Sequence, residues 1–146
     1  MTAPHQDSET RHATAVAIDG AGVLIIGPSG SGKSALALDL ISRGGVLIAD
    51  DRCRIVLRDD WPWLREPERL AGVIEARGVG LLRVPHVAAA PLRLVVDMGE
   101  VSAERMPEPE VERVLGQEIV LVRRVDAAHF PGAIVALAKG GFRHDD

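Results

Sequence analysis

Eight consecutive residues, Gly27-Pro28-Ser29-Gly30-Ser31-Gly32-Lys33-Ser34, satisfy the pattern G-x-x-x-x-G-K-[ST] in full. The spacing has a physical reason. Glycine tolerates the backbone angles that turn successive N–H groups toward one anion, and a helix opening at Lys33 adds its unpaired N–H groups and positive dipole end. The lysine reaches the outer phosphates of a nucleoside triphosphate, and the serine after it offers a hydroxyl to the Mg²⁺ that bridges them. These residues are therefore read as a triphosphate cradle. The loop alone leaves ATP, GTP, kinase, ATPase and switch open, but no N-K-x-D base-reading segment occurs, which weighs against a GTPase.

Asp50-Asp51 end the apolar run Val46-Leu47-Ile48-Ala49, 17 and 18 residues after Lys33. In a parallel α/β unit the strand after the first helix returns beside the phosphate loop, with its carboxyl end at the ligand crevice. One acid there can hold Mg²⁺ or its water shell, and the other can accept a proton from an attacking hydroxyl. Spacing does not rank the two, and Asp-Asp is also common in surface turns. Glu75 and Arg77 follow Val73-Ile74. In extended chain they point to one side, as a carboxylate for a metal and a guanidinium for a phosphoryl group, or as a plain ion pair.

These groups need elements to hold them. The pattern predicts strands over 12–18, 23–26, 46–49 and 54–58, and a helix from Lys33 with Leu36, Leu40 and Ile41 on one face, stopped by Gly44-Gly45. Val73-Ile74, 80–84, 92–96 and 119–122 also read as strands. Trp61-Pro62-Trp63 reads as a polar connection, and 105–110, with two close prolines, as a loop. The pattern over 134–139 fits a helix or a strand equally. Residues 1–11 read as a flexible tail and 12–146 as one domain, an α/β mixed sheet with one prominent helix after the glycine loop.

Composition narrows the function classes. A formal charge of −4 argues against coating nucleic acid, and three per cent aromatic residues argue against a base-stacking platform. No apolar run approaches the roughly 20 residues that span a bilayer, and the polar start lacks the pattern of a secretory signal. A lone cysteine, Cys53, excludes an internal disulfide, fits a cytoplasmic setting and reads as an inert small residue.

The ordered combination of His12, the loop, Ala37-Leu38-Asp39-Leu40-Ile41-x-Arg43-Gly44, Ile48-Ala49-Asp50-Asp51 and Glu75-Ala76-Arg77-Gly78-Val79-Gly80-Leu81-Leu82 resembles the catalytic domain of bacterial HPr kinase/phosphorylase, in its short proteobacterial form. The likeness covers about residues 12–105. It implies a P-loop-containing mixed-sheet domain of the HPr kinase/PEP carboxykinase-like type. It also implies a Mg²⁺- and ATP-dependent serine kinase acting on HPr, the small phosphocarrier of the sugar phosphotransferase system. By position Asp51 resembles the base that deprotonates the target serine, with Asp50 a supporting carboxylate. Lys33 and His12 resemble phosphate-stabilising residues, and Ser34 and Glu75 the Mg²⁺ ligands. Arg105 resembles a mobile phosphate-contacting arginine, and Arg77 is expected to share the developing charge. The family's C-terminal P-V-x-x-G-R-N element, linked to phosphorolysis, has lost its Arg-Asn in the stretch 126–133, so the kinase direction is the one the likeness carries. A hexameric assembly is implied as well. The alternative reading is an ATP-binding sensor that regulates a partner without phosphoryl transfer.

Overall fold

The computed structural model describes residues 7–142. Their order is β1 (Ser8–Arg11), β2 (Thr14–Ile18), β3 (Ala21–Ile26), α1 (Lys33–Ser42), β4 (Val46–Ala49), β5 (Cys53–Arg58), β6 (Trp61–Arg65), β7 (Val73–Ala76), β8 (Gly80–Arg83), β9 (Ala89–Val101), β10 (Glu110–Val114), β11 (Gln117–Arg124) and α2 (Phe130–Gly140). Nine of the described strands form one curled mixed sheet in the order β1-β5-β6-β9-β3-β2-β4, with β11 on β9 and β10 on β11, while β7 and β8 form a separate hairpin.

Strand periodicity builds two cores on the two faces of this sheet. Ala15, Ala17, Leu24 and Val95 point to one face, where Cys53, Ile55, Leu64, Ile119 and Leu121 of the curled extension cover them. Their neighbours Val16, Ile18, Val23, Ile25, Leu94 and Val96 point to the other, against Leu36, Ala37 and Leu40 of α1 and Phe130 and Ile134 of α2. Three hairpins turn through two residues at positive φ, Asp19-Gly20, Asp59-Asp60 and Leu115-Gly116, as the right-handed twist of paired strands favours.

Several expectations need correction. Ser8–Arg11 is not tail but an edge strand antiparallel to β5, tied across the sheet by an Arg11 to Glu112 hydrogen bond of 2.9 Å; residues 1–6 lie outside the described residues. Trp61-Pro62-Trp63 opens β6 rather than a connection. Trp61 Nε1 donates to the Leu92 carbonyl at 2.9 Å. Residues 134–139, for which helix and strand both stood open, belong to helix α2. No described helix is long and apolar enough to cross a membrane.

Candidate active site

The site grows from the carboxyl ends of β3 and β4. Both strands pair antiparallel with β2, so they run parallel to each other and end on the same edge of the sheet. β2 lies between them, so β4 does not sit directly beside the loop strand as a simple parallel unit would place it. After Ile26 the chain turns at Gly27, φ 145. A Cβ there would lie 2.6 Å from Ser31 Oγ and 3.1 Å from the Gly99 nitrogen, so only glycine fits this close approach. Gly32, at φ 98, caps α1 in the left-handed region without a side-chain bond, leaving the first-turn N–H groups free for an anion. Lys33 folds over the mouth of the loop, donating from Nζ to the carbonyls of Gly27 at 2.8 Å and Pro28 at 3.2 Å.

The two acids have different surroundings. Asp50 is enclosed by donors. Its Oδ1 accepts from Ser34 Oγ at 2.7 Å and from Thr14 Oγ1 at 3.2 Å, and its Oδ2 accepts the Glu75 backbone N–H at 3.1 Å. This carboxylate therefore joins the phosphate loop, β2 and the β7–β8 hairpin. Asp51 is exposed and stands at φ 69, a left-handed conformation that Asp tolerates better than most residues. Its N–H reaches Thr14 Oγ1 at 3.4 Å, and its Oδ1 lies 3.6 Å from His12 Nδ1. The Asp51 carboxylate is thus held by its backbone while staying open to a reacting group.

The structure brings His12, Lys33, Ser34, Asp50, Asp51 and the backbone of Glu75 together around the loop Gly27–Ser34. It does not do so for the two arginines. Arg77 is not beside Glu75 on an extended strand: β7 ends at Ala76, and Arg77 lies exposed in the hairpin turn. Arg105 lies in the exposed segment between β9 and β10.

Thr14 was not singled out by the sequence reading, although a polar residue inside an apolar alternation marks it; it is fully buried. Nor was Asp97 singled out, which is half-buried and pairs with Ile26 across parallel strands. It ends the apolar stretch Leu94-Val95-Val96 much as Asp50 ends 46–49, and that repeated pattern was the available signal. Asp97 Oδ1 accepts the Gly99 N–H at 2.8 Å, and its Oδ2 meets Arg123 at 3.1 Å. Arg123 also binds Glu110 and Glu100. Hydrogen bonding to Arg123 holds the Glu110 carboxyl below its ordinary range. This cluster fixes the Gly99 stretch of β9 against Gly27.

No three or more His, Cys, Asp or Glu side chains among the described residues are arranged to cage a metal. A hydroxyl and carboxylates at the loop suit Mg²⁺ nonetheless, since that ion usually takes one or two protein oxygens and fills its shell with water and substrate phosphates.

Comparison with known proteins agrees with this arrangement. The family described as HPr Serine kinase C-terminal domain matches residues 5–103. The chain is 48% identical over 80 residues to an HPr kinase/phosphorylase of Lactobacillus johnsonii, covering 54% of this chain and 25% of that protein. It is 47% identical over 82 residues to the one of Lactococcus lactis subsp. lactis, covering 56% and 26%. The chain thus spans about a quarter of the length of the curated relatives it matches. A solved structure of the Hpr(Ser) kinase/phosphatase from Coxiella burnetii superposes with a TM-score of 0.76 and 27% identity, over 90% of this chain and 88% of that one.

Proposed function

The chain belongs to the HPr Serine kinase C-terminal domain family, and from that premise we propose that it is an ATP- and Mg²⁺-dependent kinase that phosphorylates a serine of an HPr-like phosphocarrier. The observation that carries this reading is the division between the acids. Asp50 is saturated by Ser34, Thr14 and the Glu75 N–H, whereas Asp51 is open.

A transferred phosphoryl group asks the protein mainly for position and charge. The N–H groups of Gly27–Ser34 and the first turn of α1 hold the triphosphate, and Lys33 leaves the loop carbonyls to meet its outer oxygens. Asp51 accepts the proton of the target serine hydroxyl as that oxygen attacks the terminal phosphorus, whose bond to the β-phosphate oxygen breaks so that ADP leaves. His12, beside Asp51, and the cations Arg77 and Arg105 share the negative charge that develops. Ser34 and Glu75 would hold Mg²⁺, which when bound neutralises charge on the bridging phosphate oxygens. The setting is the cytoplasm, where ATP and the carrier meet, and a homo-hexamer is the assembly that the family resemblance suggests.

The test is direct. Labelled ATP, Mg²⁺ and an HPr-like carrier are incubated with the chain and with Lys33→Ala. The parent should place label on one carrier serine, and Lys33→Ala should lose both nucleotide binding and transfer. ATP binding by the parent with no label on any carrier would replace the kinase by a nucleotide sensor.

A further inference from the structure

The outer face of β5, β6 and the start of β9 carries positive charge that the chain itself does not answer. Cys53, Ile55, Leu64 and Ala90 point inward to the core, so Arg54, Val56, Trp63, Arg65 and Pro91, which alternate with them, point outward. Register sets Arg54 beside Arg65 and lines up Val56, Trp63 and Pro91 in the next row. Arg58 extends the face along β5, its guanidinium 4.4 Å from the centre of the Trp63 ring. At the far end Arg93 lies 5.2 Å from the centre of the Trp61 ring. All four arginines are exposed.

Elsewhere arginines find carboxylates, as Arg11, Arg43, Arg123 and Arg124 do. Among the described residues no carboxylate lies within ion-pair distance of Arg54, Arg58, Arg65 or Arg93. Glu66, next to Arg65 in the chain, is taken by His86 at 3.0 Å. Arg54 and Arg65 moreover stand directly opposite each other on antiparallel strands, where like charges repel and cost stability. Stacking on the indoles holds Arg58 and Arg93 in place while leaving their in-plane N–H donors free. In a chain of net charge −4, this face is ready for an anionic partner.

An acidic protein surface suits it best. An open face of three strands encloses no small anion, and a guanidinium already faces each indole ring, which denies single-stranded nucleic acid its stacking platform. The face also begins at the acids. Arg54 follows Asp51 by three residues, so their Cα atoms are at most about 11 Å apart, and its partner on β1, Thr10, lies two residues before His12. An ordinary protein interface covers about 800 Å² on each side, enough for a protein presenting a serine to Asp51 to reach Arg54 and Arg65 as well. We propose that this arginine–tryptophan face docks carboxylates of the protein substrate and so brings its serine to Asp51. The proposal rests on the kinase reading above and adds where the carrier sits and which charge it must bring.

Arg54→Gln/Arg65→Gln removes two charges from the solvent side without entering the core or the phosphate loop. Steady-state kinetics of the full chain and this variant with an HPr-like carrier, at about 0.05 M and about 0.5 M salt, separates docking from catalysis. At low salt the variant's KM for the carrier should rise at least about tenfold while kcat and Mg·ATP affinity stay within about twofold of the parent. The parent's KM should climb with salt more steeply than the variant's. The variant's melting temperature should hold or rise, because a like-charge pair has been relieved. An unchanged carrier KM overturns the proposal and leaves the kinase standing, and binding of a single-stranded RNA oligomer that is lost in the same variant would then assign the face to nucleic acid. A fall in kcat or Mg·ATP affinity as large as the rise in KM overturns it too. A parent that phosphorylates no carrier serine overturns the kinase reading itself, and the docking face with it.

Discussion

Thr14, Ser34, Asp50 and Asp51 form one chain of donors and acceptors: the Asp51 N–H reaches the Thr14 hydroxyl, which donates to Asp50, which also receives Ser34. Asp50→Ala removes the acceptor of the fully buried Thr14 hydroxyl proton and frees the Glu75 N–H and Ser34. Leaving a buried polar group unpaired costs about 1–3 kcal/mol, so denaturant titration should show a loss of that order. Nucleotide affinity should fall with it, because Ser34 loses its orientation. Cys53 illustrates the opposite kind of residue. It is fully buried, and burial pushes its thiol up to about 12, which removes the reactive thiolate at neutral pH. A thiol reagent at pH 8 should leave the native chain unmodified and label one equivalent once denaturant is added.

At the scale of elements, the β7–β8 hairpin stands apart from the main sheet. Besides the Asp50 bond to Glu75, it is seated by Ile74, fully buried among residues that include Leu36, Ala37 and Leu40, with Leu82 packed against the same cluster. Ile74→Ala opens a cavity under the hairpin at a cost of about 2–5 kcal/mol. The expected outcome is a lower melting temperature together with a fall in kcat larger than any rise in the KM for ATP, since Glu75 and Arg77 shift while the loop stays. Elements with a clean period were legible from sequence: the strand before the loop, α1, and the run ending at the two acids. β1 was not legible because Ser8-Glu9-Thr10-Arg11 has no apolar alternation and is held by pairing to β5 and by Arg11. β6 was hidden by Pro62, which reads as a breaker. The proline is tolerated because β6 pairs with β9 only from Trp63 onward, so no ladder to β9 needs its missing N–H.

The whole molecule gathers its site from distant parts of the chain. β9 is central: it pairs with β6, β3 and β11 in turn, carries Asp97 to the loop and brings the C-terminal segment to the far side of α1. The loop and the acids were visible in sequence because strong local constraints leave local patterns. Nothing in sequence pointed to Arg123 or Arg124 as neighbours of the loop, since their placement depends on long-range pairing. The different surroundings of the two acids depend on the same pairing, since β2 brings Thr14 between them.

The account turns on Asp51 standing free before the terminal phosphorus while the cradle holds the nucleotide without its help. The most direct measurement is parallel: Mg·ATP binding and phosphoryl transfer to the carrier serine by Asp51→Asn, a variant that keeps the left-handed backbone because Asn tolerates it as Asp does. The account predicts nucleotide affinity within about threefold of the parent and no detectable phosphoserine. Transfer at the parental rate would contradict it.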